Sequence, residues 1–219
     1  MVQQNKYNGE DQRIQKIEGD ATTNYYYQDG VVSYTTDGEG EQTSQNLIGL
    51  EGNIIGTQRY DGEKTTYYLY NKDIQGSTTS LIKEDGTADA TYRYTDFGET
   101  TIEGDNKAGN EVCYTGGIYD STTGLYYLNA RYYNPEDGRF LTEDTYRGET
   151  EEPDTWHLYA YCKNNPVNYT DPSGHYSIAN AVNYAKNWAK REILNIIIIM
   201  EVTVQTLYLN VYMLVVKNV

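Results

Sequence analysis

The chain has 219 residues and a formal net charge of −15, from 32 acidic and 17 basic side chains. A field of that sign repels phosphate backbones, which argues against nucleic-acid binding by residues 1–174, where the excess acid lies. With 25 tyrosines against two phenylalanines and two tryptophans, and 20 glycines, an ordinary aliphatic core is excluded: Tyr and Thr suit pleated, half-buried surfaces and Gly and Asp suit turns, so the class is mainly β.

In chain order, the opening run MVQQNKYNGEDQRIQK has no apolar h-region, which argues against an ordinary signal peptide. The expected location is secreted or cell-surface by a route that reads no such peptide, or cytoplasmic before export. Strand-like runs then recur with Tyr or Thr at alternate positions, closed by short D/N-x-x-G or D-G turns: YYYQDG (25–30), YYLYNKDIQG (67–76), LIKEDG (81–86), YRYTDFGETTIEG (92–104) and YDSTTGLYYL (119–128). Gly76, Gly98, Gly124 and Gly148 follow one another at 22, 26 and 24 residues. Each unit predicts a hairpin with a glycine at positive φ in its turn. A lone hairpin cannot hide its apolar face, so the units are expected to stack side by side in a continuous antiparallel sheet.

The composition changes sharply at Gly174: every glycine lies at or before it, and neither Gly nor Pro follows. Ile178, Val182, Ala185, Trp188 and Ala189 fall near helical spacing and predict an amphipathic helix from about Ser177, which can act as its N-cap. ILNIIIIMEVTVQTLYLNVYMLVV (193–216) is long enough to span a bilayer. Asn195, Glu201, Gln205 and Asn210 oppose insertion, and part of the run alternates like a strand. An α-helical or mixed tail packed on its own chain or on a partner is the preferred expectation, and membrane contact by 193–216 the alternative.

YDSTTGLYYLNARYYNPEDGRFLTEDTYRG (119–148) and HLYAYCKNNPVNYTDPSGH (157–175) together resemble the core-associated signature of the YD-repeat, or RHS-repeat, proteins. YYLYNKDIQGSTTSLIKEDGTADATYRYTDFGE (67–99) resembles the last repeats before that signature. On this resemblance the chain divides into degenerate repeat strands (1–54), regular YD repeats with the core-associated segment (55–174), and a variable tail (175–219). The resemblance implies a β-shell that encloses a C-terminal cargo, in the manner of bacterial polymorphic toxins and toxin-complex shells. It implies as partners the remaining shell, upstream or in trans, the chain's own tail as cargo, and an immunity protein. Four to six hairpins are too few to close such a shell alone.

The same resemblance implies an aspartic autoprotease that cuts once, at or just after His175. Its residues map onto Asp171 in DPSG, Asp144 in LTEDTYRG and Arg139 in GRF. Thr145 stands where the family usually has Pro, and the acidic insert 148–156 lengthens the Asp144–Asp171 spacing to 27 residues. Such chemistry needs one protonated and one ionised carboxylate side by side. A purely structural reading of the same residues stays open, since Asn164-Asn165-Pro166 and Asp171-Pro172-Ser173-Gly174 are good turn sequences and Asp144 can end a strand.

No metal or other cofactor is expected. His157, His175, Cys113 and Cys162 lack zinc-site spacing, the acidic clusters lack a calcium-loop pattern, and two cysteines cannot build a disulfide framework. Arg131 and Arg139 are expected to stack on rings or to pair with Asp120 or Asp137. Two further functions remain as alternatives: a short membrane-active effector in 175–219, and a surface adhesion or carbohydrate-binding module using exposed tyrosines.

Overall fold

The computed structural model describes residues 3–50, 52–148, 150–151 and 153–175. They belong to one compact unit, Met1–Tyr176, and the expected helix from Ser177 and the run 193–216 lie outside the described residues.

Ten strands follow one another without a crossover: β1 (Gln4–Tyr7), β2 (Arg13–Glu18), β3 (Ala21–Gln28), β4 (Val31–Thr36), β5 (Gln42–Ile48), β6 (Ile54–Asp61), β7 (Lys64–Lys72), β8 (Thr78–Lys83), β9 (Ala88–Tyr94) and β10 (Thr100–Gly104). Each pairs antiparallel with its neighbours in sequence, giving a single ten-stranded sheet in chain order. A second sheet of four short strands follows: β11 (Ile118–Asp120), β12 (Leu125–Leu128), β13 (Arg131–Asn134) and β14 (Arg139–Phe140). The mainly β class and the stacked hairpins are as expected.

The turns explain the D-G and D-x-x-G pattern. Gln28 faces Val31 across a two-residue loop in which Asp29 and Gly30 both have positive φ, 50° and 79°. That is the mirror-image turn whose twist matches the flanking strands. In the longer loops an aspartate collects the backbone: Asp37 Oδ1 accepts from the N–H groups of Glu39 and Glu41, and Asp73 Oδ1 from those of Gln75 and Ser77. The fourth evenly spaced glycine departs from the expectation. Gly148 turns no hairpin and lies against Thr155 and Trp156, because no strand follows β14 among the described residues.

Register slips interrupt six of the nine strand pairings in the large sheet, for instance between Tyr26 and Tyr27 and between Leu81 and Ile82. Each slip adds local twist and bends the strand that carries it. The sheet curls accordingly, and its two ends reach opposite faces of the small sheet. On one face Asp120, Tyr127 and Tyr132 meet Gln3, Asn5, Tyr7 and Arg13. On the other, the Tyr126 hydroxyl meets Thr100, and Tyr133 donates to the Phe97 carbonyl at 2.6 Å.

The core between them is largely tyrosine. Tyr68, Tyr70, Tyr92, Tyr114, Tyr126, Tyr133 and Tyr161 are buried together with Leu81, Leu128 and Phe140. Buried hydroxyls need partners, and they find them. Tyr70 donates to Asn110 Oδ1 (2.8 Å) and Tyr114 to the Asp96 carbonyl (2.8 Å). Tyr94, half-buried at the edge of this core, donates to the Thr78 carbonyl (2.6 Å). Each such bond contributes on the order of 1 kcal/mol and fixes direction as well as burial.

Candidate active site

The site is built where the DPSG turn lies against the tip of the β12–β13 hairpin. Leu128 faces Arg131 across the loop Asn129-Ala130, and Asn129 takes the positive φ (60°). The Ala130 N–H donates to the Ser173 carbonyl (3.2 Å), and Asn129 Nδ2 donates to the Pro172 carbonyl (3.1 Å). Gly174 then passes so close that an added Cβ would lie 2.3 Å from the Leu128 carbonyl oxygen, and its φ is +68°. Only glycine fits there on both counts.

Arg131 opens β13 on the face it shares with Tyr133 and Phe140, and its guanidinium carbon sits 3.6 Å from the Phe140 ring centre. Burial of that stack aims the fork at four oxygens. Nη2 lies 2.7 Å from Asp144 Oδ2 and 3.6 Å from Asp171 Oδ2. Nη1 donates to the Leu158 carbonyl (3.0 Å), and Nε donates to the Gly174 carbonyl. Both aspartates are buried, at 4% and 8% exposure. The structure thus brings Asp144 and Asp171, 27 residues apart in sequence, onto one guanidinium nitrogen.

The surroundings of the two carboxylates differ. Asp144 Oδ1 accepts the Tyr146 N–H (2.9 Å) and lies 3.7 Å from His175 Nδ1, and the Asp144 N–H donates to the Leu158 carbonyl (2.9 Å). Asp171 accepts from Ser173 Oγ at 3.2 Å. Burial pushes the Asp171 carboxyl up to about 6, with the Asp144 charge adding to the rise and Arg131 and Ser173 opposing it. Burial also lowers the pKa of Arg131, against the pull of Asp144 and Asp171.

Arg139 is not brought into this pair. β14 alternates, so with Phe140 inward beneath Arg131, Arg139 points outward, where its Nη1 lies 2.7 Å from His157 Nε2. Arg131 holds the cationic place instead. Its stacking is as expected, but its carboxylate partners are Asp144 and Asp171; Asp120 pairs with Arg13 and Asp137 with Asn134. Cys113 and Cys162 are buried free thiols, and burial pushes both pKa values up, Cys113 to about 12. Neither is poised as a nucleophile. Among the described residues no cluster of His, Cys, Asp and Glu has the arrangement of a metal site.

A curled sheet of sequential hairpins clasping a tyrosine-rich plug defines a β-repeat shell segment. Residues 4–167 match the Teneurin YD-shell family, and the chain belongs to it. The chain is 36% identical over 176 residues to the tRNA3(Ser)-specific nuclease WapA of Bacillus spizizenii and 35% identical to the tRNA nuclease WapA of Bacillus subtilis strain 168. In both cases 78% of this chain is covered but only 7% of the relative. Toxin subunit YenC2 of Yersinia entomophaga is 29% identical over 190 residues, covering 77% of this chain and 19% of the subunit. Among solved structures, the crystal structure of TcdB2-TccC3-Cdc42 superposes with a TM-score of 0.61 at 22% identity, covering 84% of this chain and 9% of that one. The chain is therefore similar to a small part of each of these proteins.

Proposed function

We propose that this chain is the closing segment of a YD-repeat shell of a bacterial toxin, and that it cuts itself once, beside His175, to free its C-terminal tail. The observation that carries the reading is the convergence of Asp144, Asp171 and the Gly174 carbonyl on the buried Arg131 fork. The proposed scissile bond is the Gly174–His175 peptide, one bond before the position at or just after His175 that the resemblance implies, because it carries the carbonyl that Arg131 holds. Arg131 Nε, already donating to the Gly174 carbonyl, is placed to stabilise the negative charge that builds on that oxygen during attack. Asp144, closest to the guanidinium, serves as the base that takes a proton from an attacking water. Asp171, kept protonated more readily by its burial, gives its proton to the departing His175 nitrogen. Arg139 lies outside the constellation and is assigned no part in it.

The remaining shell, supplied upstream or in trans, is the proposed partner of β1 and β10, which form the two edges of the large sheet among the described residues. The tail is the cargo, and an immunity protein that neutralises it belongs to the same scheme. Intact mass tests the reading. The wild-type chain separates near residue 175, and Asp171→Asn stays whole at about 25.0 kDa; an intact wild type overturns it. Tail activity is tested separately, by expressing 175–219 in cells and following membrane polarisation.

A further inference from the structure

The strand that presents Arg131 is held from behind. Asp120, Tyr127 and Tyr132 share the face of the small sheet opposite Arg131, and all three are gripped by the first hairpin of the large sheet. Arg13 is wholly buried; its Nη1 lies 2.5 Å from Asp120 Oδ2 and 3.3 Å from Tyr132 Oη, and its backbone N–H donates to Tyr127 Oη at 2.9 Å. The guanidinium sits between the rings of Tyr25 and Tyr127, 5.0 and 4.8 Å from their centres. Asn5 Nδ2 donates to Tyr132 Oη (2.9 Å), Tyr7 Oη is 3.0 Å from the same oxygen, and Gln3 Nε2 donates to Asp120 Oδ2 (2.9 Å).

This grip does more than add stability. Arg13 Nε and Nη2 are buried without hydrogen-bond partners, and Asp120 Oδ1 makes no hydrogen bond, with Lys16 Nζ 3.7 Å away. A buried ion pair left part-satisfied recovers little of its desolvation cost, and its better-attested use is to fix one arrangement against others. What it fixes here is β13, a four-residue strand in which Tyr132, clasped by the hairpin, adjoins Arg131. A one-residue slip of such a strand would turn Arg131 to the wrong face. Arg13 and Asp120 are 107 residues apart, so their contact forms only once the sheet has curled around the core segment.

We propose that docking of the β1–β2 hairpin through Arg13, Asp120 and Tyr132 sets Arg131 against Asp144 and Asp171, so that the chain cuts itself only after its wall has closed on the plug. Arg13, Asp120 and Tyr132 are positioning residues, and the proposal rests on the autoproteolytic reading above. It gives the order of events a physical cause: the first hairpin of the wall is docked on the plug before the tail is released.

The experiment follows cutting of the full-length chain after cell-free synthesis, in wild type, Arg13→Met and Tyr132→Phe, across pH. Both variants are expected to slow cutting, Arg13→Met on the order of a hundredfold and Tyr132→Phe by less, because a misplacement of about 1 Å can cost about that factor. The alkaline limb of the profile, where Asp171 loses the proton it must donate, is expected to move to higher pH in both. Asp171 is faced by Arg131, Asp144, Ser173 and Cys162, and loosening Arg131 removes the only positive charge among them. A loss of folded protein alone would lower the yield without moving that limb. If Arg13→Met fails to fold, as judged by protease sensitivity, Tyr132→Phe, which removes one hydroxyl, carries the test. Wild-type rates in the folded variants, or slowed cutting with an unmoved limb, overturn the proposal and leave the autoprotease standing. A wild type that never cuts removes both.

Discussion

The ten-stranded sheet and the segment that follows it use the same unusual backbone for opposite ends. In the sheet, positive φ marks hairpin tips: a Cβ added at Gly19, Gly30, Gly62, Gly76 or Gly86 would meet nothing within 4 Å. These glycines serve the turn alone. In the later segment positive φ marks places where chain passes chain. A Cβ at Gly138 would lie 2.8 Å from the Phe97 ring, and one at Gly174 2.3 Å from the Leu128 carbonyl oxygen. Cys162, Lys163 and Asn164 even run consecutively through the left-handed region, at φ 49°, 53° and 59°. Strain of this kind costs on the order of 1–3 kcal/mol per residue and persists only where surrounding contacts over-determine it. The wall is assembled from local rules, and the plug is held by what surrounds it.

Substitutions sharpen this contrast. The largest loss is expected where wall meets plug: Asp120→Ala strands Arg13 in the interior, and breaking a buried pair from one side costs about 3–5 kcal/mol, measurable by denaturant unfolding. Gly174→Ala comes next. Its backbone penalty alone is about 1–3 kcal/mol, the clash displaces the DPSG turn from β12–β13, and self-cleavage is expected to disappear from the mass spectrum. Asp171→Asn is expected to act in the other direction. The folded-state carboxyl, at about 6, lies above its ordinary 3.8, so the folded chain takes up this proton more readily than the unfolded one. Its contribution to stability therefore falls as pH rises from about 4 through 6. The asparagine variant should gain on wild type over that window while losing the ability to cut, as read by thermal unfolding at pH 4 and pH 7. Gly30→Ala should cost least, about 1 kcal/mol for a left-handed Ala in open space. If Gly30→Ala proves as damaging as Gly174→Ala, the division between wall and plug fails.

The same division decides what could be read in the sequence. The hairpins were legible because their signals are local: Asp29-Gly30 and Asp73 through Gly76 carry turn chemistry within four residues, and tyrosine alternation sets the faces on either side. Asp144 and Asp171 were legible through their motifs. Arg131 was not, because its assignment depends on which way β13 faces, and that face is set by Tyr126 and Phe140 across the small sheet. The available signal was phase. Arg131 shares the inward phase of Tyr133 in β13, whereas Arg139 precedes the inward Phe140 by one and must point out. The Arg13–Asp120 contact left no local trace, since a single arginine in RIQKIE looks like one more solvated charge on a strand. Gly148 misled for the converse reason: even spacing suggested a further hairpin where the chain had already left the sheet.

The strictly sequential pairing of the large sheet has a consequence for how such walls change length. Every strand from β4 to β7 is bonded only to the two strands next to it in sequence. Deleting or duplicating two consecutive strands there returns the chain travelling in the same direction with the same face inward. A single strand would reverse the direction of everything beyond it. The middle of the wall can therefore be lengthened or shortened only in whole hairpins, while the two margins that clasp the plug stay fixed. Size in this architecture is an even number, and the seam is its constant.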